Sequence, residues 1–223
     1  MHVLVFGQSN VANRVRPTRA CKWAKVHFDG HVSELSDPIP GASGRKGSVW
    51  SRVAHLVKRS GQFQSFCITN VAKGSTSVAD WLPEGELFAA LCDQAAHAEA
   101  INRPVTCVFF HQGERDNFLG TTAADYFETF KRIHSGLILR LGSLPIIVCQ
   151  ASHRAGITSE AVRNAQNQIQ GQLDVVPGPD TDLLGDEFRY DGTHLNALGA
   201  DRFAQSIFET LLTCSPETTP AES

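Results

Sequence analysis

Two short segments near opposite ends of the 223-residue chain carry the residue types that nucleophilic catalysis needs. Ser9 follows a short apolar run at the start, while Asp191 and His194 stand three positions apart near the end. A serine hydroxyl becomes an effective nucleophile when a base takes its proton and a third group fixes the tautomer of that base. The spacing D-x-x-H suits such a pair. Ser9, His194 and Asp191 are therefore the candidate nucleophile, base and orienting carboxylate.

Each of these residues also has an ordinary structural interpretation. A serine after a strand is commonly a cap or turn residue, and an isolated D-x-x-H commonly forms the turn that enters a helix. Ser9 does not lie in a G-x-S-x-G nucleophile elbow, because Val11 occupies the last glycine position. The chemical interpretation therefore depends on what the rest of the chain places beside Ser9.

Two further polar segments contain donors suited to the negative charge of a tetrahedral intermediate. Gly74 lies in the segment 73–77 and Gln112 in the segment 111–117, and each segment follows an apolar run. Backbone N–H groups and amide side chains are typical oxyanion donors, and glycine lets a ligand approach the backbone closely. The backbone N–H of Ser9, that of Gly74 and the amide of Gln112 are therefore candidate donors. An ordinary loop glycine and a polar end of a strand are the alternatives.

Short apolar runs and segments with helical spacing alternate along the chain. The predicted strands are residues 3–6, 66–71, 105–110, 146–149 and 173–176, and the predicted helices are residues 49–58, 87–101, 126–141, 160–169 and 198–212. This alternation predicts parallel βαβ units that form a three-layer α/β/α sandwich around a five-stranded parallel sheet. Such sheets bind ligands beyond the carboxyl ends of their strands, which is where Ser9, Gly74 and Gln112 stand.

Composition predicts one globular domain over residues 1–213 and a flexible tail over residues 214–223. Hydrophobic residues make up 42% of the chain and charged residues 19%, which is enough apolar surface for a sizeable core. Residues 14–47 are polar and rich in Pro and Gly, so an irregular loop near the ligand edge is expected there. The six cysteines form no C-x-x-C pair. Free, mostly buried thiols are expected, with disulfides as the alternative.

The net charge and the motifs of the sequence argue against several classes of partner. The net charge is −3 and no dense Lys/Arg run occurs, so nucleic acid is not an expected partner. Neither a signal peptide nor a membrane span is predicted at the start of the sequence, which favours a cytoplasmic location and no membrane partner. No cofactor and no metal ion are predicted, because His111, His153 and His194 lack a recognised ligand spacing. The pattern makes no prediction of the oligomeric state.

Taken together, four sequence blocks resemble the blocks of the SGNH hydrolase superfamily. The closest branch is that of carbohydrate and sialate O-acetylesterase-like proteins, and the resemblance spans residues 5–203. The blocks are G-Q-S-N at residues 7–10, G-S-T-S at residues 74–77 followed by Trp81, Q-G-E-x-D at residues 112–116, and D-x-x-H at residues 191–194. The resemblance implies a flavodoxin-like sandwich, a Ser9–His194–Asp191 triad, and an oxyanion hole of Ser9 N–H, Gly74 N–H and Gln112.

The function that the resemblance implies is removal of an acyl group, most often acetyl, from an O-acetylated carbohydrate or a similar small ester. The same constellation also serves acyltransferases, lipid esterases and thioesterases, and a non-catalytic carbohydrate-binding module is a further alternative. The candidate substrate-binding residues are Gln8, Asn10, Ser75, Trp81, Glu114 and Arg115. Trp81 is equally compatible with the core. Glu114 and Asp116 are expected to make hydrogen bonds that order their loop.

Overall fold

The structure, a computed structural model, describes residues 1–214 and contains one seven-stranded sheet flanked by helices. The strands are β1 His2–Gly7, β2 Ala20–Phe28, β3 His31–Ser36, β4 Cys67–Asn70, β5 Cys107–His111, β6 Ile146–Gln150 and β7 Val176–Asp180. Their order across the sheet is β3-β2-β4-β1-β5-β6-β7. The predicted α/β sandwich is confirmed, with seven strands instead of five.

Four of the predicted strands correspond to β1, β4, β5 and β6, and they form the parallel part of the sheet together with β2 and β7. β1 is the central strand of the seven. Val3 lies opposite Ile68 of β4 on one side and Cys107 of β5 on the other. Every residue of β1 is buried. β7 begins at Val176, the last residue of the predicted run 173–176. Leu173 and Val175 lie in the connection before β7, and their apolar side chains pack against the core there. The residue that follows β1 therefore lies at the point where the strand order reverses, which is the expected ligand edge.

The two additional strands correct the expectation of an irregular loop over residues 14–47. β2 and β3 pair antiparallel, and β2 extends the sheet by parallel pairing with β4. The connection is Asp29 and Gly30, which both have positive φ angles of 49° and 76°. An Asp-Gly pair between two extended runs is a strong hairpin signal, and the polar composition of the flanking residues obscured it. The remainder of this segment, residues 37–47, leads back towards Ser9.

The helices form two layers, one on each face of the sheet. They are α1 Val49–Ser60, α2 Glu86–Ala100, α3 Glu114–Leu119, α4 Ala123–Leu141, α5 Glu160–Gln172 and α6 Ala197–Thr213. Val3 and Val5 face the cluster that includes α1 and α6, whereas Leu4 and Phe6 face the cluster of α2, α4 and α5. This follows from the two-residue period of a strand. The short helix α3 was not predicted.

The start of α6 is fixed by contacts that also order the segment before it. Asn196 caps the helix by accepting a hydrogen bond from the N–H of Gly199 at 3.0 Å, and its own N–H donates to the Phe188 carbonyl at 2.8 Å. A Cβ on Gly199 would lie 2.3 Å from that same carbonyl oxygen, so only glycine permits this close approach. The loop that carries Asp191 and His194 is therefore held between Phe188 and the first turn of α6.

All six cysteines are free thiols, five of them buried and Cys214 half-buried, as expected from the sequence. No helix within residues 1–214 is long and apolar enough to span a bilayer. Of the predicted tail, residues 215–223 lie outside the described part of the chain.

Candidate active site

Ser9 stands immediately beyond the end of β1, in a turn that only glycine allows. Gly7 has a φ of 114°, and a Cβ there would lie 2.1 Å from the His111 carbonyl oxygen. The N–H of Gln8 donates to that same oxygen at 2.9 Å. Ser9 then begins the short 3₁₀ turn Ser9–Val11 and is 4% exposed. Its Oγ makes no hydrogen bond to any of residues 1–214, so the hydroxyl is unengaged.

His194 and Asp191 form the short hydrogen-bonded pair that the sequence predicts. The ring Nδ1 donates to Asp191 Oδ2 at 2.7 Å, and the other carboxylate oxygen accepts the N–H groups of Thr193 at 3.1 Å and His194 at 2.7 Å. Burial alone would raise the pKa of Asp191, but the hydrogen bonds from His194 and Thr193 outweigh it and lower this pKa. The carboxylate therefore stays ionised and holds the proton on Nδ1, which leaves Nε2 as the basic nitrogen.

Asn10 joins the nucleophile segment to the histidine loop. Its Nδ2 donates to the Thr193 carbonyl at 3.2 Å, and its Oδ1 accepts the N–H of Leu195 at 3.1 Å. The same Nδ2 donates to Glu114 Oε1 at 2.6 Å. Since Thr193 and Leu195 are the two neighbours of His194, the residue next to Ser9 fixes the backbone on both sides of the base.

Replacing Asn10 with alanine is expected to lower kcat for acetyl esters by about 10²-fold, because a displaced base costs about that much even when every catalytic group remains. The KM for a small ester should change little, since Asn10 is buried. Steady-state kinetics on an aryl acetate measure kcat and KM, and thermal unfolding shows whether the variant is folded. The control is Gln94→Ala, which removes a buried amide bonded to the Asp29 turn. A folded Asn10→Ala enzyme with wild-type kcat would contradict the role.

The amide of Gln112 is committed to contacts within the protein. Its Nε2 lies 2.7 Å from Gln8 Oε1, 2.6 Å from the Thr76 carbonyl and 2.8 Å from Asp116 Oδ2, and the residue is fully buried. An amide nitrogen carries two hydrogens, so these acceptors use all of its donor capacity. The expected oxyanion donor is thus absent in this arrangement. Gln112 instead ties together the turns that follow β1, β4 and β5.

Gly74 lies beside Ser9, but its N–H has an acceptor. A Cβ on Gly74 would lie 3.7 Å from Ser9 Cβ, so the glycine keeps the space next to the nucleophile open. Its N–H donates to Ser43 Oγ at 2.7 Å, and the N–H of Ser43 donates to the Ala72 carbonyl at 2.9 Å. Ser43 was not identified from the sequence, because it belongs to the segment that returns to the site after the unpredicted hairpin.

Two carboxylates behind the site are buried and form part of its frame. Burial raises the pKa of Glu114, whose Oε1 accepts from Asn10. Burial also raises the pKa of Asp116 to about 6, although this group accepts the N–H of Val78 at 3.0 Å and the amide of Gln112. Both groups make hydrogen bonds that order the loops around Ser9.

The candidate substrate-binding residues divide into a buried and an accessible group. Gln8, Asn10, Glu114 and Trp81 are buried, while Ser75 is exposed and Arg115 half-buried. Trp81 packs edge-on against Phe6 at a centroid distance of 5.2 Å, and its Nε1 donates to Thr76 Oγ1. Trp81 is therefore a core residue, the second of the two interpretations that the sequence left open, and it offers no surface to a substrate. Gln8 Oε1, which accepts from Gln112, is equally unavailable to a ligand.

Two exposed aromatic residues beyond this set were not predicted. Tyr190 stacks on His194 with ring centroids 5.7 Å apart and planes inclined by 16°, and Lys46 Nζ lies 4.4 Å from the Tyr190 ring centroid. Phe118 is 58% exposed, with the guanidinium of Arg115 4.8 Å from its ring centroid. Tyr190 directly precedes Asp191 in the sequence, and this position could have identified it as a residue close to the triad.

The three histidines considered as metal ligands have separate partners. His111 bonds to Thr181 Oγ1 at 2.9 Å, His153 to Asp186 at 2.9 Å and His194 to Asp191. Across the described residues, no three His, Cys, Asp or Glu side chains are grouped so that they could hold a metal ion.

Comparison with known protein families shows which family the chain belongs to. Residues 47–213 match the family described as carbohydrate esterase, sialic acid-specific acetylesterase. The chain belongs to this family. It is therefore a carboxylic ester hydrolase, as the four sequence blocks implied. The esterase has no significant match among curated proteins.

Solved structures with the same fold cover nearly the whole esterase. A protein from Arabidopsis thaliana is 19% identical, with a TM-score of 0.79 and coverage of 95% of this chain and 98% of the other. The protein NanS is 12% identical, with a TM-score of 0.70 and coverage of 95% and 96%. A catalytic mutant of an acetylxylan esterase from Geobacillus stearothermophilus is 13% identical, with a TM-score of 0.59 and coverage of 94% and 93%. These neighbours establish the SGNH-type fold.

Proposed function

We propose that the esterase removes acetyl groups from an O-acetylated carbohydrate through an acyl-enzyme on Ser9, with His194 as base and Asp191 as its orienting carboxylate. The observation that carries this proposal is a pair of hydrogen bonds made by Asn10, which donates to the Thr193 carbonyl and accepts from the Leu195 N–H. These two bonds hold the backbone around His194 against the Ser9 turn. A cap residue or a simple helix-entry turn gives no reason for these two distant segments to be joined.

The mechanism follows from the proton positions at the triad. His194 Nε2 accepts the Ser9 proton as Oγ attacks the ester carbonyl, and the ionised Asp191 stabilises the imidazolium that forms. The imidazolium then donates its proton to the departing alcohol. Water repeats the sequence on the acyl-enzyme, with His194 again as base. Ser9 Oγ has no hydrogen-bond partner among residues 1–214, and the contact between a nucleophile and its base commonly forms or tightens only when substrate binds.

The developing oxyanion requires donors close to Ser9. Of the three expected groups, the N–H of Ser9 is the one without an acceptor among residues 1–214, because Gly74 donates to Ser43 and Gln112 to its own neighbours. The Ser43 hydroxyl accepts from Gly74 and retains its own hydrogen for donation. Ser9 N–H and Ser43 O–H are the neutral donors that we assign to the oxyanion.

Acetyl is proposed as the acyl group because the family is one of acetylesterases and one structural neighbour is an acetylxylan esterase. The first test compares hydrolysis of an aryl acetate with that of the butyrate and octanoate, followed by acetate release from O-acetylated sugars. We expect kcat/KM to be highest for the acetate. A preference for octanoate would indicate a lipid esterase instead. Transfer to an added alcohol in place of hydrolysis would indicate an acyltransferase.

A further inference from the structure

Arg14 lies beside the nucleophile, in the short stretch between the Ser9 turn and β2. A Cβ on Gly74 would lie 3.0 Å from Arg14 Nη2 and 3.7 Å from Ser9 Cβ. Since both distances start from one point, the guanidinium and the nucleophile border the same space. Gly74 has no side chain, so no side chain at this position separates the guanidinium from Ser9. The Arg14 Nε lies on the other side of the guanidinium, 3.4 Å from the Cβ position of Gly44.

The guanidinium of the half-buried Arg14 differs from those of the buried Arg52 and Arg189, because it has no hydrogen-bond partner among residues 1–214. Its Nε is buried without a hydrogen bond, and none of the described carboxylates forms an ion pair with it. In contrast, Arg52 Nε donates to Asp201 at 2.9 Å, and Arg189 Nη2 donates to the Thr181 carbonyl at 2.8 Å. A buried donor without an acceptor costs about 1–3 kcal/mol in general. Arg14 therefore contributes no polar contact that would explain its presence as a stabilising residue.

The donors assigned above to the tetrahedral intermediate, the N–H of Ser9 and the hydroxyl of Ser43, are both neutral, so neither offsets its negative charge. The N–H of Gly74 is bonded to Ser43 and the amide of Gln112 to Gln8 and its other neighbours. An unpaired positive charge beside Ser9 fills this need, because a preorganised donor aimed at the developing negative charge gives the largest stabilisation in a site of this kind.

We propose that Arg14 is a catalytic residue that donates from its guanidinium to the oxyanion formed when Ser9 attacks the ester. It keeps its proton throughout, and no bond to Arg14 is made or broken. The inference rests on the proposed acyl-enzyme mechanism. It predicts an interaction that is stronger in the transition state than with the bound ester, so its loss should appear in kcat and not in KM.

The test compares Arg14→Gln and Arg14→Lys with the wild type on a neutral aryl acetate and on an acetate ester whose alcohol carries a carboxylate. We expect Arg14→Gln to lower kcat about 10²-fold on both esters with little change in KM, and Arg14→Lys to retain part of the activity. The unfolding temperature should stay the same or rise, because the unpaired group is removed. Arg45→Gln is the control, since it removes an exposed charge from the neighbouring segment 37–47 and should leave kcat unchanged.

A second measurement does not depend on the substrate. Methylboronic acid forms a tetrahedral anion on a reactive serine, and its affinity for Arg14→Gln should fall in parallel with kcat. If the wild type binds the boronic acid but hydrolyses no acetate, the proposed function fails while the Arg14 comparison still gives a result. Unchanged kcat and boronic acid affinity in Arg14→Gln would overturn the inference. A rise in KM confined to the carboxylate-bearing ester would also overturn it, because Arg14 would then bind substrate charge.

Discussion

Ser9→Ala is expected to reduce kcat for aryl acetate hydrolysis by about 10³-fold or more, because the variant lacks the oxygen that forms the acyl-enzyme. Its stability should be close to that of the wild type, since Ser9 Oγ makes no hydrogen bond to any of the described residues. Steady-state kinetics and the unfolding temperature, measured on the same preparation, separate loss of chemistry from loss of fold.

The matched control for this variant is Ser33→Ala. Ser33 is an exposed serine of β3, and it lies outside the triad and outside the candidate substrate-binding residues. Its replacement should leave kcat within about threefold of the wild type, as is usual for a surface position without special contacts. Equal losses in the two variants would contradict a specific role for Ser9, and full activity of Ser9→Ala would exclude it as the nucleophile.

His194→Ala should be almost as damaging as Ser9→Ala, since the serine then has no base and the leaving alcohol no acid. The double variant Ser9→Ala/His194→Ala should have no lower activity than either single variant, because members of a triad act as a unit. Asp191→Ala is expected to lose less, as it leaves the base in place but removes the acceptor 2.7 Å from Nδ1. Kinetics of these four variants on one aryl acetate measure the pattern.

Added imidazole provides a sharper readout of the same role. His194 is half-buried and stacks on Tyr190, so removal of its ring leaves a site open to solvent in which free imidazole can lie. We expect imidazole to restore part of the activity of His194→Ala and none of that of Ser9→Ala. His97→Ala, at an exposed position of α2, serves as the control and should remain fully active without imidazole. Strictly additive losses in the double variant would show that Ser9 and His194 act independently.

The parts of the fold that the sequence predicted are those where burial leaves little choice of residue. The residues of β1 are buried on both faces, and such a strand is recognisable as a continuous apolar run. β2 and β3 were missed because they form the outer hairpin of the sheet, with β3 as its edge strand, and polar residues in both strands weaken the apolar pattern. The Asp29–Gly30 turn was the stronger local signal there.

The site was predictable to the extent that it depends on strand ends and on local spacing. The D-x-x-H segment forms its hydrogen bond within four residues, so its geometry is local. The partner of Gln112 is not local: an amide can donate to a substrate or to the protein, and only the packed structure shows Gln8, Thr76 and Asp116 around it. Ser43 and Arg14 depend on the path of the chain around the hairpin, which the sequence pattern did not reveal.

The central claim is that Ser9 forms the covalent intermediate, and the most direct test is to react the enzyme with an alkyl fluorophosphonate and map the modified residue by mass spectrometry. Attack by Ser9 Oγ forms the O–P bond and expels fluoride, with the proton passing to His194. The account predicts one phosphonyl group per chain, on Ser9, with esterase activity lost in proportion and no labelling of Ser9→Ala. Inactivation with the label on another residue, or full activity after complete labelling of Ser9, would contradict it.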